Sequence, residues 1–205
     1  NVSGTTFSWI VKTVTGVTGA SAGSGTSIAQ TLTTSGTVAG SVTYEITPTS
    51  AAPASCAGAK KTVTITVNPR PTITPTVTSQ NICSGGSTSI GLQSDIVGTT
   101  YSWTVAVTGG VTGASNGSGS NIVQTLTASG TTTGTVEYTI TATTPAPAGC
   151  TNSVVTKIPV TVYPIPTISI NTPAAICEGQ SVSLTATVAP VGGTFLWTPG
   201  NLTTN

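Results

Sequence analysis

The sequence predicts an all-β protein, built as tandem antiparallel β-sandwiches with about 94 residues per repeat. Three observations predict it. Thr supplies 47 of the 205 residues, and Gly with Pro another 37. Thr is β-branched and fits a pleated surface, whereas Gly and Pro weaken helices. Apolar residues alternate with Thr and Ser in short runs, and no stretch offers a capped helical period. Finally, the chain echoes itself. VTGASAGSGTSIAQTLTTSGT, from Val17 to Thr37, returns as VTGASNGSGSNIVQTLTASGT, from Val111 to Thr131, with 16 of 21 positions unchanged at an offset of 94.

The offset runs through the whole chain. Trp9, Trp103 and Trp197 follow it, each two residues after an aromatic: Phe7, Tyr101 and Phe195. Tyr44 maps onto Tyr138, Cys56 onto Cys150 and Cys83 onto Cys177. VNPRPTI at 67–73 maps onto VYPIPTI at 162–168 with one inserted residue. The period exceeds the roughly 20–50 residues of a solenoid unit and matches a seven-stranded sandwich of about 100. Pro69 and Pro71, then Pro164 and Pro166, directly follow alternating runs. Proline cannot donate to a ladder and fixes its own φ, so these pairs mark the linkers. The expected domains are a partial repeat over 1–68, a complete one over 69–163 and a partial one over 164–205. The chain starts inside a repeat and reads as a segment of a much longer protein.

Within 69–163 the strands are expected in order. Thr72–Thr78 contains Pro75 and suits an edge. Ser87–Leu92 puts Thr88, Ile90 and Leu92 on one face. Thr100–Val107 aligns Tyr101, Trp103, Val105 and Val107. Asn121–Thr127 aligns Ile122, Gln124 and Leu126, as Ile28 and Leu32 align in the first copy. Thr135–Thr141 aligns Val136, Tyr138 and Ile140, and Val154–Val162 closes the unit. The glycine-rich stretch before Asn121 is a connection between strands. It lacks the GxGxxG order and the Lys-Ser/Thr of a phosphate loop, and a strand follows it rather than a helix. The aromatic-x-Trp pairs read as core, with an exposed sugar platform as the alternative.

Charged residues make up 4% of the chain with a net charge of +1, against about 25% in typical soluble domains. Nucleic acid is excluded as a partner, since its binding needs a basic surface. No apolar run reaches the 18 or so residues of a membrane span. There is no His for general-base work. Glu45 and Glu137 share a phase in successive repeats and are expected a domain apart. Paired glycosidase carboxylates stand roughly 5–10 Å apart. No enzyme activity, cofactor or metal is expected.

The four cysteines, Cys56, Cys83, Cys150 and Cys177, include no CxxC. Disulfides are favoured over zinc, which would need distant thiolates with no His to help. The expected bond joins Cys83 to Cys150 within one repeat, a closure of about 4 kcal/mol on the chain-entropy view. Cys56 and Cys177 would then pair outside these residues. The alternative is Cys56–Cys83, across the linker.

ICSGGSTSIGL and ICEGQSVSL, then YSW or FLW, the glycine-rich turn, GTVEYTI, GC and the exit VTVYP together resemble the PKD-like, immunoglobulin-like repeats of giant bacterial surface proteins. These include gliding-motility adhesins and other cargo of the type IX secretion system. The resemblance covers essentially the whole chain. It implies an extracellular β-sandwich array at the cell surface, acting as adhesin or filament. The family's Asp-Ser/Thr glycan signal is missing, because the only Asp, Asp95, precedes Ile96.

The expected function is a semi-rigid stalk for adhesion or gliding motility. Its expected partners are neighbouring repeats, chains packed side by side into filaments, and a surface glycan or substratum ligand. The alternatives are an accessory carbohydrate-binding or spacer sandwich of a secreted polysaccharide-degrading enzyme, and a self-assembling sheath or surface-layer subunit.

Overall fold

The computed structural model describes residues 2–191, and every regular element among them is a strand. Phe195 and Trp197, the third aromatic pair, lie outside the described residues. The first repeat carries β1 (Thr6–Thr15), β2 (Val17–Thr18), β3 (Gly23–Ser24), β4 (Thr33–Thr34), β5 (Gly40–Thr49) and β6 (Lys61–Val67). The middle repeat carries β7 (Ile73–Pro75), β8 (Gln80–Cys83), β9 (Ile90–Ser94), β10 (Thr100–Thr108) and β11 (Val111–Thr112). It continues with β12 (Gly117–Ser118), β13 (Asn121–Ile122), β14 (Thr127–Ala128), β15 (Gly134–Thr143) and β16 (Thr156–Tyr163). β17 (Thr167–Ile170) and β18 (Ala186–Ala189) follow.

The middle repeat is a sandwich of a five-stranded sheet, β12-β10-β15-β16-β8, and a three-stranded sheet, β13-β9-β7. The alternation read from the sequence sets its core. Val136, Tyr138, Ile140, Ile158, Val160 and Val162 are buried on the larger sheet, and Ile90, Leu92 and Ile122 on the smaller. In the first repeat the sheet order is β3-β1-β5-β6, and Trp9, Val42 and Tyr44 form a small core with Val11, Ile28, Leu32 and Ile46 packed against it.

The stretch read as a connection holds two short strands, β11, which pairs with β14, and β12, which pairs with β10. Two further elements differ from the sequence reading. The expected strand Asn121–Thr127 is split. Its start pairs with β9, and Leu126 then exchanges hydrogen bonds with the Cys83–Gly86 turn: Gly85 N donates to Leu126 O, and Leu126 N to Gly86 O. Its end pairs as β14 with β11. The segment meets three partners in turn, so no single ladder runs its length. Strand β8 was not expected, and it is parallel to β16, from Val160↔Gln80 to Tyr163↔Cys83. Four residues with one apolar side chain give too short an alternation to read. Pro159 sits inside β16 just before this parallel pairing starts, so its missing N–H takes no bond from β8.

The chain divides into two compact units. The first holds the chain up to Thr74 together with Leu92–Tyr101 and Thr141–Val155. The second holds Pro75–Gly91, Ser102–Ile140 and the described chain from Thr156. The first unit thus contains the first repeat, the linker and two loop-bearing segments of the middle repeat.

Candidate functional site at the linker

The glycine-rich turn covers a tryptophan. Trp103 Nε1 donates to Ser115 O at 3.2 Å, and Trp9 Nε1 to Ser21 O at 3.2 Å. Both indoles are buried. One glutamine fixes the turn in each copy. Gln124 Nε2 donates to Ser115 O at 2.8 Å, while Ser115 N donates to Gln124 Oε1 at 3.1 Å. Tyr138 OH donates to the same Oε1 at 2.8 Å. Gln30 repeats the arrangement with Ser21 and Tyr44. Burial raises the Tyr138 phenol above its ordinary value, so it stays a donor. The indoles are therefore core, and an exposed Trp platform for sugar is not present in either described copy. Sequence reasoning placed Gln124 on the inward face but missed its role. The signal was available, since the same amide stands at 30 and 124 between apolar residues.

The carboxylates are spread over the surface. Glu137 pairs with Lys157 at 2.6 Å, and Glu45 with Lys60 at 2.7 Å and Lys12 at 3.4 Å. The Lys60 hydrogen bond is the main reason Glu45 sits below the ordinary carboxylate value. Glu45 and Glu137 are not at equivalent positions: one follows Tyr44, the other precedes Tyr138. Among the described residues no three His, Cys, Asp or Glu cluster as a metal site. No helix among them is long and apolar enough to cross a membrane.

The expected Cys83–Cys150 bond is not formed, and all four cysteines are free. Cys83 stands beside Tyr163, the last residue of β16, whereas Cys150 lies in the loop before Thr156, the first. The two cysteines are thus attached at opposite ends of β16. A disulfide needs Cα atoms within roughly 7 Å.

The linker is where polar chemistry gathers, and all of it falls within the first compact unit. Pro69 and Pro71 are buried while Arg70 between them is exposed. Arg70 Nη1 donates to Thr151 O at 3.0 Å. Thr72 N donates to Asp95 Oδ1 at 2.8 Å, and this backbone hydrogen bond is the first cause of the lowered Asp95 pKa. Cys150 Sγ lies 3.9 Å from Asn68 O. Beside these residues is a polar cavity of about 360 Å³ lined by Leu32, Thr34, Asn68, Arg70 and Asp95, among others. The linker is thus seated rather than slack. Two buried rings, the Arg70 side-chain bond to Thr151 and the Thr72 backbone bond to Asp95 hold it in place. Composition could locate the prolines, but Arg70, Thr151 and Asp95 meet only through the fold.

An all-β chain of repeated sandwiches, with its polar contacts concentrated at a seated linker, is the architecture of a tandem β-sandwich module. PKD-like domains match residues 1–71 and 80–166, and the chain belongs to that family. Two solved structures are similar in outline. One is "Protocadherin Gamma B2 extracellular cadherin domains 3-6", at 12% identity and a TM-score of 0.32, covering 90% of this chain and 51% of that one. The other is "Protocadherin gammaB7 EC3-6 cis-dimer structure", at 15% identity and a TM-score of 0.31, covering 85% and 46%. The chain spans about half the length of each. No curated protein matches it.

Proposed function

We propose that this chain is a stalk segment of a large cell-surface adhesin or filament, with structural rather than chemical work to do. The observation that carries the reading is the seated linker, with Pro69 and Pro71 buried and Arg70 and Thr72 bonded on either side. A linker held by burial and hydrogen bonds resists bending, as a stalk must, whereas a Gly/Ser linker behaves as a random coil. Membership of the PKD-like family and the sparse charge support an extracellular array that packs against copies of itself. Gliding motility and type IX export are the finer form of this reading and rest on the sequence resemblance alone. The carbohydrate-binding alternative loses its main support with Trp9 and Trp103 buried.

Small-angle X-ray scattering of the full chain tests the reading. Each sandwich adds about 40 Å of length, from strands of about eight residues at ~3.3 Å each plus loops. An extended pair distribution that shortens in a Pro69→Gly, Arg70→Ala variant is expected. A compact, folded-back profile in the unaltered chain sinks the stalk.

A further inference from the structure

We propose that each repeat junction is closed by a disulfide between neighbouring repeats. It joins the Cys150-type cysteine of one repeat to the Cys83-type cysteine of the repeat before it. The middle repeat shows how a Cys-Ser-Gly-Gly turn is seated. Ser84 N donates to Tyr163 O at 2.7 Å, Gly85 N to Leu126 O at 2.8 Å, and Ala128 N to Ser84 Oγ at 3.0 Å. Cys83 itself is in register with Tyr163. The first-repeat counterparts of Tyr163, Leu126 and Ala128 are Asn68, Leu32 and Thr34.

All three of those counterparts line the polar cavity beside the linker. Thr34 Oγ1 is buried without a hydrogen-bond partner. The cavity therefore has the lining that receives a Cys-Ser-Gly-Gly turn, and its occupant is the turn of the first repeat's own leading strands. A turn seated there sets its cysteine in register with Asn68, one strand spacing of about 4.8 Å away. Cys150 Sγ already lies 3.9 Å from Asn68 O. Rotation of the two side chains closes such a gap to a disulfide.

The spacing also accounts for the free thiols. The bonded cysteines are separated by one repeat of 94 plus the 67 residues from Cys83 to Cys150, 161 in all. No two of Cys56, Cys83, Cys150 and Cys177 stand that far apart, and all four are free. On closure two thiols lose two protons and two electrons. An exchanging disulfide, either glutathione disulfide or a protein disulfide oxidoreductase, takes the electrons and is reduced to two thiols. The inference draws on the extracellular array proposed above, but its test reads bond connectivity and is indifferent to whether the array adheres.

A chain lengthened before Asn1 by a copy of residues 69–94 completes the first repeat in register. After equilibration in a glutathione redox buffer, peptide mapping is expected to find the copied Cys83 bonded to Cys150. Cys56, Cys83 and Cys177 are expected to stay titratable, and Cys150→Ser to free the copied thiol. A bond from the copied cysteine to Cys56, a Cys83–Cys150 bond, or both thiols remaining free overturns the proposal. A second chain, lengthened after Asn205 by a copy of residues 112–163, decides the matter if the first does not fold. There Cys83 is expected to bond the copied Cys150, and a free Cys83 overturns the proposal.

Discussion

Gly117 lies on the indole of Trp103 so closely that an added Cβ falls 2.6 Å from Cζ2, and Gly23 covers Trp9 at 2.7 Å in the same way. The indole cannot retreat, because Nε1 is held by Ser115 O and the ring is only 7% exposed. Gly117→Ala therefore overpacks the site and is expected to cost about 1–3 kcal/mol. Gly119→Ala is the control. Its Cβ meets nothing within 4 Å, but its φ of +130° suits glycine alone, so a cost near 1 kcal/mol is expected from backbone strain. Urea denaturation followed by Trp fluorescence measures both. A Gly117→Ala chain no less stable than the original rules out the close approach.

Tyr138 and Gln124 link the core to the turn. The phenol is fully buried and its OH reaches Gln124 Oε1, which also accepts from Ser115 N. Tyr138→Phe removes one bond and is expected to cost about 1 kcal/mol. Gln124→Ala removes the Oε1 acceptor of Tyr138 OH and strips both sides of Ser115, so roughly 2 kcal/mol is expected. The two share one oxygen, and the double variant should cost less than the sum. A double-mutant cycle that closes additively contradicts the shared network.

The long alternating strands were legible because one face of each is buried, which prints period two on the sequence. Val136, Tyr138 and Ile140 were read inward and are 0–2% exposed. The repeat was legible for a similar reason, since the turn over each Trp demands the same small residues. What stayed hidden depends on long-range pairing. β8 spans four residues, and its parallel partner lies about 80 positions away, so no local pattern marks it. The Cys83–Cys150 expectation was drawn across the same gap, because without β8 nothing fixed which end of β16 Cys83 stands beside, and all four cysteines are free here. The linker's prolines were visible, whereas its contacts to Thr151 and Asp95 join residues 81 and 23 positions apart.

Asp95 ties the linker to pH. The Thr72 backbone N–H is the first cause of its lowered pKa. A carboxylate held low in the folded state stabilises fully above its unfolded value. That contribution is lost as pH falls through the folded value. Asp95→Asn is therefore expected to lower Tm near neutral pH, with the gap narrowing below 3.8, the group's ordinary value. Glu45 weakens on the same acid side, but it is common to both chains and cancels in the difference. Asp95 is exposed, so the effect is small. A Tm gap that widens toward acid contradicts the assignment.

The two copies of the closing strand make a comparison inside one molecule. β16 lies between β15 and β8, and its Ile158, Val160 and Val162 are fully buried. β6 ends its sheet after β5, and the counterparts Val63 and Ile65 are 44% and 39% exposed. The sequences alternate alike, so the difference comes from what lies beside and over the strand. Val160→Ala opens a cavity in a closed core and is expected to cost about 2 kcal/mol. Ile65→Ala removes more atoms yet is expected to cost under about 1 kcal/mol, because solvent already reaches that face. Hydrogen exchange on the full chain reads the repeats separately. The amides of β16 are expected to be protected by at least tenfold more than those of β6, and Val160→Ala to erase most of that difference. Equal protection of the two strands before any substitution means that β8 and the smaller sheet contribute little to closing the core.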